Sequence, residues 1–162
     1  MKRIINVLLV AVVLSLVPTS YASAQWNSQE EYSEGLALVE DANGKYGFID
    51  ETGKLVIPCQ WNLAHSFSEG LALVQDDNGM RGFIDKTGKL VFPCQWEDLD
   101  SFHEGLAPFL SANGKFGYMD KTGKEVIPCK WKSAGSFSDG KAWVMDDNGN
   151  EFLIDKTGKI VK

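Results

Sequence analysis

The sequence is short of the residues that carry out chemistry. It has two histidines, His65 and His103, and they fall at unrelated places in the pattern described below. No serine or cysteine stands at a nucleophile elbow, so no catalytic pair is readable. The three cysteines, Cys59, Cys94 and Cys129, lie 35 residues apart, not in the close pairs of a zinc site. An odd number leaves at least one thiol over, which argues against a disulfide framework. The sequence therefore assigns no catalytic residue, metal ligand or cofactor, and an enzyme ranks last among the functional readings. Only one apolar run is long, residues 7–17, and it falls short of the roughly 20 residues that span a bilayer. It follows Lys2 and Arg3 and precedes Ala22-Ser23-Ala24, the pattern of a leader cleaved before Gln25. This predicts a secreted or periplasmic protein with a signal peptide at 1–24 and no membrane insertion after cleavage. Basic residues are also scarce. Without Lys2 and Arg3 the chain carries 14 basic and 22 acidic residues, a net charge of −8. Such a surface repels nucleic acid and anionic lipid.

What the chain has instead is a period. The stretch Gly82-Phe83-Ile84-Asp85-Lys86-Thr87-Gly88-Lys89 recurs near-identically 35 residues upstream, from Gly47, and 35 downstream, from Gly117. A partial fourth copy runs from Leu153 to Lys159. Four units, 26–60, 61–95, 96–130 and 131–162, fill one domain over 25–162 with no linker. A fixed period of this length means stacked repeats, because one unit cannot bury its apolar face alone.

Each unit opens on apolar residues three apart: Trp61, Ala64 and Phe67, then Trp96, Leu99 and Phe102, then Trp131, Ala134 and Phe137. That spacing predicts a tight helical or 3₁₀ corner. In the first unit the middle residue is Gln29, as expected of a solvent-facing end. Three strands follow in each unit. The first is a doubly apolar run at 36–39, 71–74, 106–110 and 141–145, with an invariant alanine at Ala37, Ala72, Ala107 and Ala142. It ends at Asn-Gly, which predicts a type I′ hairpin. The second strand, at 46–50, 81–85, 116–120 and 151–155, ends in an Asp-x-Thr-Gly-Lys turn. The third, 54–57, 89–92, 124–127 and 159–161, leads into Pro-Cys-x-Trp in three units. Extended through the proline, Leu55, Ile57, Cys59 and Trp61 share one face, which predicts buried, unpaired cysteines.

These motifs resemble the bacterial WG-repeat family. The resemblance rests on Gly47-Phe48-Ile49-Asp50 with Gly53-Lys54, Ile57-Pro58 with Trp61, and Phe67 with Gly70-Leu71-Ala72, repeated along the chain. It implies a binding or scaffolding module and no catalytic residues. The naming Trp-Gly dipeptide is replaced here by Tyr46-Gly47, Arg81-Gly82, Phe116-Gly117 and Glu151-Phe152.

The expected fold is all-β: four three-stranded antiparallel meanders stacked as an open curved array. A small closed propeller is the alternative, disfavoured because blades usually have four strands. The acidic turns Asp76-Asp77-Asn78-Gly79 and Asp146-Asp147-Asn148-Gly149 read as hairpins, since calcium needs six or more oxygens and the third copy is Ser111-Ala112-Asn113-Gly114. Tyr46, Arg81 and Phe116 occupy one matched place yet differ, which marks them as candidate partner-binding residues, expected in a row on an outward strand face. The variable corners 62–66, 97–101 and 132–136 are the second candidate. A protein partner in the cell envelope is the first reading and a glycan or cell-wall ligand the second.

Overall fold

A computed structural model describes residues 26–161; the leader expected at 1–24 lies outside them. The described chain is all-β, without a helix, in four antiparallel sheets that form an open arrangement. The first sheet holds β1 (Ser28–Gln29), β2 (Leu36–Glu40), β3 (Tyr46–Asp50) and β4 (Leu55–Trp61) in that order. The second holds β5 (Leu63–Ala64), β6 (Ala72–Gln75), β7 (Arg81–Ile84) and β8 (Leu90–Trp96). The third holds β9 (Leu106–Leu110), β10 (Phe116–Asp120) and β11 (Glu125–Trp131). The fourth holds β12 (Ser133–Ala134), β13 (Lys141–Met145), β14 (Glu151–Asp155) and β15 (Ile160–Val161).

The corners differ from the helical expectation. They are extended and add a short fourth strand, β1, β5 or β12, to the meander. In the third unit the corner is reduced to a Leu99–Phe109 bridge flanked by Asp100 N–H to the Pro108 carbonyl and Leu110 N–H to that of Asp98. Most of the apolar residues at spacing three are nonetheless core: Trp61, Ala64 and Phe67 are at most 8% exposed, while Trp96 and Ala134 are half-buried. Burial followed from the apolar pattern, while hydrogen bonding to the neighbouring strand set the backbone.

The turns also differ. Gly44 N–H bonds the Asp41 carbonyl at 3.0 Å, and Gly44 has φ +75 while Asn43 stays at negative φ. This is a turn with ordinary central residues followed by a left-handed glycine, and all four Asn-Gly hairpins share it. The type I′ geometry sits at the corner hairpin instead. There Ser33 and Leu36 exchange both backbone bonds around Glu34 at φ +53 and Gly35 at φ +88. The same strained, left-handed acidic residue recurs at Glu69, Glu104 and Asp139.

The faces of the sheets make the core. Leu36, Leu38, Phe48, Ile57 and Trp61 of the first sheet meet Ala64, Phe67, Ala72, Val74 and Ile84 of the second. Leu73, Phe83 and Phe92 of the second meet Leu99, Phe102, Ala107 and Met119 of the third. Leu106, Tyr118, Ile127 and Trp131 of the third meet Phe137, Ala142, Val144 and Ile154 of the fourth. The invariant alanines are buried, and each lies on the face that receives the preceding unit or, for Ala37, Trp26 and Cys59.

The third strand departs from its predicted face. β4 pairs Phe48 with Ile57 but Ile49 with Leu55, so Val56 is an inserted bulge residue. The bulge turns Leu55 away from Ile57, and Leu55 is 40% exposed. A second irregularity lies between the Phe48–Ile57 and Tyr46–Trp61 pairs and contains Pro58-Cys59-Gln60. The cysteines are therefore half-buried, not core, and none is paired with another. They lie against Gly47, Gly82 and Gly117; a Cβ on Gly117 would stand 2.5 Å from Cys129 Sγ.

Candidate partner-binding surface

Tyr46, Arg81 and Phe116 open β3, β7 and β10 and pair with Trp61, Trp96 and Trp131. Two residues on along the same face stand Phe48, Phe83 and Tyr118, all fully buried. The three candidates thus lie on the sheet face turned toward the next unit, half-buried at the rim of the junction, and not in a row on an outward strand face. Tyr46 packs on the first junction and Phe116 on the third. Arg81 is held by an ion pair from Nη1 to Asp98 and donates from the same nitrogen to the Leu99 carbonyl at 3.0 Å. Its buried Nε–H finds no acceptor among the described residues.

The structure brings two of the three together. Arg81 and Phe116 line one groove of about 420 Å³ with His65, Asp98, Asp100, Pro108, Ser133 and Ala134. Tyr46 does not line it. The other lining comes mainly from the corners of the second, third and fourth units, which approach one another across 36 residues of sequence. His65 Nδ1 is 3.1 Å from Ser101 Oγ, and Ser136 Oγ donates to Asp100 Oδ2 at 3.3 Å. Asp100 also stands 3.9 Å from His65 Nδ1. Serine and aspartate face the same ring nitrogen, whereas a nucleophile relay uses both nitrogens in series. The arrangement suits holding a ligand between charges of both signs, not activating Ser101.

His65, Asp98 and Asp100 come from the variable corners that the sequence offered as the second candidate, and the structure joins them to Arg81 and Phe116 in one groove. Their signal was variation at a matched place: Leu63, Asp98 and Ser133 in one register, His65, Asp100 and Gly135 in another. The acidic turns, by contrast, are occupied by their own backbone. Asp76 Oδ1 accepts from Asn78 N–H at 2.9 Å and Met80 N–H at 3.0 Å.

Sheet, junction and groove define a tandem β-repeat module whose units are three- or four-stranded antiparallel sheets stacked face to face. The chain belongs to the WG containing repeat family, which matches residues 46–79, 82–115 and 116–149. Each matched stretch begins at or beside the Tyr46, Arg81 or Phe116 place and runs on into the next sheet, so the family's repeat straddles a junction. No curated protein matches the chain by sequence. Among solved structures it is similar to the computationally designed Ika8 protein, at 12% identity and a TM-score of 0.51 over 82% of this chain and 46% of that one. It is also similar to PorZ, a bacterial surface component of the type-IX secretion system of Porphyromonas gingivalis, at 11% identity and a TM-score of 0.50 over 84% of this chain and 22% of that one. The WD40 beta propeller domain of Doa1 aligns over 81% of this chain and 52% of that one, at 15% identity and a TM-score of 0.42. The chain spans about half the length of the designed protein and about a fifth of PorZ. At these identities the likeness is one of fold.

Proposed function

We propose that this chain is a non-catalytic binding module, exported by its leader to the periplasm or cell surface, that holds a protein partner in the groove of His65, Arg81, Asp98, Asp100 and Phe116. One observation carries the reading. Several of the repeat places that differ between units, at His65, Arg81, Asp98, Asp100, Phe116 and Ser133, meet in this groove, while the invariant places go to turns and core. In repeat proteins binding lies on such a face, and the repeated remainder is scaffold. The groove supplies two side-chain types that interfaces favour, an arginine and an aromatic ring, with carboxylates at its edge.

The test is a cross-linking experiment in the native envelope, read by mass spectrometry, with His65→Ala combined with Asp100→Ala. Both side chains are about half exposed, so the double variant is expected to keep its melting temperature. It is expected to lose the captured partner. A folded double variant that captures the same protein refutes the groove as the site. Retention of a cell-wall glycan by the wild type in place of a protein moves the reading to the glycan alternative.

A further inference from the structure

On the side of the Asn-Gly turns, the first and third junctions are closed by a lysine–aspartate pair at matched places, whereas the middle junction has its ion pair one place further on, between Arg81 and Asp98. Lys45 Nζ reaches Asp77 at 2.5 Å and Asn62 Oδ1 at 2.6 Å across the first junction. Lys115 Nζ pairs with Asp147 across the third. The middle junction has Met80 and Ala112 at these places, so no such pair can form. There a cavity of about 560 Å³ opens, lined by Gln95, Trp96, Glu97, Phe109, Leu110 and Ser111, with Ala112 and Gly114 at the turn. Trp96 is half-buried there, whereas its counterparts Trp61 and Trp131 are 8% and 5% exposed. Trp131 also carries a cation from its own chain, with Lys130 Nζ 4.8 Å from the ring centroid. The matched neighbour of Trp96 is the uncharged Gln95. Glu97 is the one charged residue among those lining the cavity.

We propose that the cavity at Trp96 binds an organic cation, an ammonium or guanidinium on an apolar stem, which takes the place of the Lys–Asp pair that closes the other two junctions. The indole attracts a cation through its negative face, and Glu97 adds a charge-assisted bond. Leu110 and Phe109 offer an apolar wall for the stem, as lysine stems commonly lie on apolar surface. The net charge of −8 outside the leader raises the local concentration of such cations. This site shares no lining residue with the Arg81 groove and does not depend on it.

Calorimetric titration of the mature chain tests it with three probes: cadaverine, N-acetyl-lysine amide and neutral pentanediol. Saturable binding of either cation, weakened by salt and absent for pentanediol, is the expected result. Binding of cadaverine alone assigns the site to free diamines, and binding of the lysine amide alone assigns it to a polypeptide side chain. Glu97→Gln is expected to weaken binding about fivefold or more at unchanged melting temperature. Met80→Lys with Ala112→Asp restores the missing pair, and is expected to abolish binding without loss of stability. Equal binding of pentanediol, no saturable binding of either cation, or full binding by the Met80→Lys, Ala112→Asp variant overturns the proposal.

Discussion

At the scale of single residues, the sharpest constraints come from close approach. Gly82 lies where a Cβ would stand 2.6 Å from the Phe92 carbonyl oxygen and 2.9 Å from Cys94 N, both backbone atoms of the bulged strand. Neither neighbour can yield as a side-chain tip would. Gly82→Ala is therefore expected to destabilise by roughly 1–3 kcal/mol, the usual cost of overpacking. Gly79→Ala, with open space around its Cβ, is expected to lose only what its positive φ demands. Chemical denaturation of both variants checks the order, and a loss at Gly82 no larger than that at Gly79 would mean that the bulged strand yields to the added methyl. The thiols behave by a different rule. Burial pushes the Cys129 thiol up to about 11, reinforced by its contact to the Glu125 carboxylate at 3.2 Å. Burial also raises Cys59 and Cys94, aided by Asp41 and Asp76. All three stay protonated near neutral pH, where the thiolate is the reactive form. Alkylation of the native protein at pH 8 is expected to be slow despite half exposure, and to accelerate on denaturation. Fast native labelling at that pH would contradict it.

At the scale of elements, each corner hairpin works as a latch to the next unit. Glu69 occupies a left-handed conformation that costs a non-glycine residue energy. In return its carboxylate accepts Gly105 N–H at 3.0 Å and pairs with Lys121 at 2.9 Å, while Lys121 also donates to the Glu69 carbonyl. Glu34 with Gly70 and Lys86, and Glu104 with Gly140 and Lys156, repeat the arrangement. At Glu34 and Glu69 burial pushes the carboxyl upward, but the lysine and backbone bonds outweigh it and the net shift is downward. At Glu104 the lysine bond leads, with the same direction. A depressed folded-state value means stability that is present above the ordinary glutamate range and lost as pH falls through the lowered value. Glu69→Gln is accordingly expected to melt below the wild type at pH 7, with the gap narrowing as the medium is acidified below pH about 4. A gap independent of pH would mean that the latch acts through backbone geometry and not through charge. No part of this latch was legible beforehand, because its partners lie 36 and 52 residues apart and meet only once units stack. The strands were legible, since Leu71 to Val74 is an apolar run and Arg81 to Asp85 an extended segment around Phe83-Ile84, each bounded by strong turn residues. The type I′ geometry expected at Asn-Gly sits at Glu-Gly because both pairs tolerate positive φ at glycine, and only the pairing of Ser33 with Leu36 decides which residue joins it. The exposure of Leu55 was hidden by a bulge that no alternation pattern announces. Of the candidate site, the variable places were readable, but their meeting point was a property of stacking.

At the scale of the molecule, the latch and the sheet faces bear on whether one copy can stack on another. The first unit offers Leu36, Leu38 and Phe48 to its successor, the second offers Leu71, Leu73 and Phe83, and the third Leu106, Pro108 and Tyr118. The fourth unit offers Lys141, Trp143 and Leu153 at the same places, and Trp143 and Leu153 are 38% and 43% exposed. Its latch residue is Asp139, one methylene shorter than the glutamate of the other units. The first unit carries Glu51 where Lys86, Lys121 and Lys156 stand in the others. Adding the first unit of one copy to the fourth of another would therefore set Asp139 against Glu51, two anions where every working latch has an anion and a cation. It would also bury Lys141 without a partner, and an unpaired buried charge is costly. Such a mismatch matters because a heterologous face that keeps accepting its own kind grows into a filament. The prediction follows from reversing the changes. Glu51→Lys, Asp139→Glu and Lys141→Leu together are expected to give concentration-dependent self-association in sedimentation velocity, strongest in low salt, where the wild type sediments without such dependence. Each single substitution is expected to do less, since one leaves the face charged and another leaves the latch unmatched. If the triple variant sediments as the wild type does, the ends are set by packing shape and not by the charges at Glu51, Asp139 and Lys141.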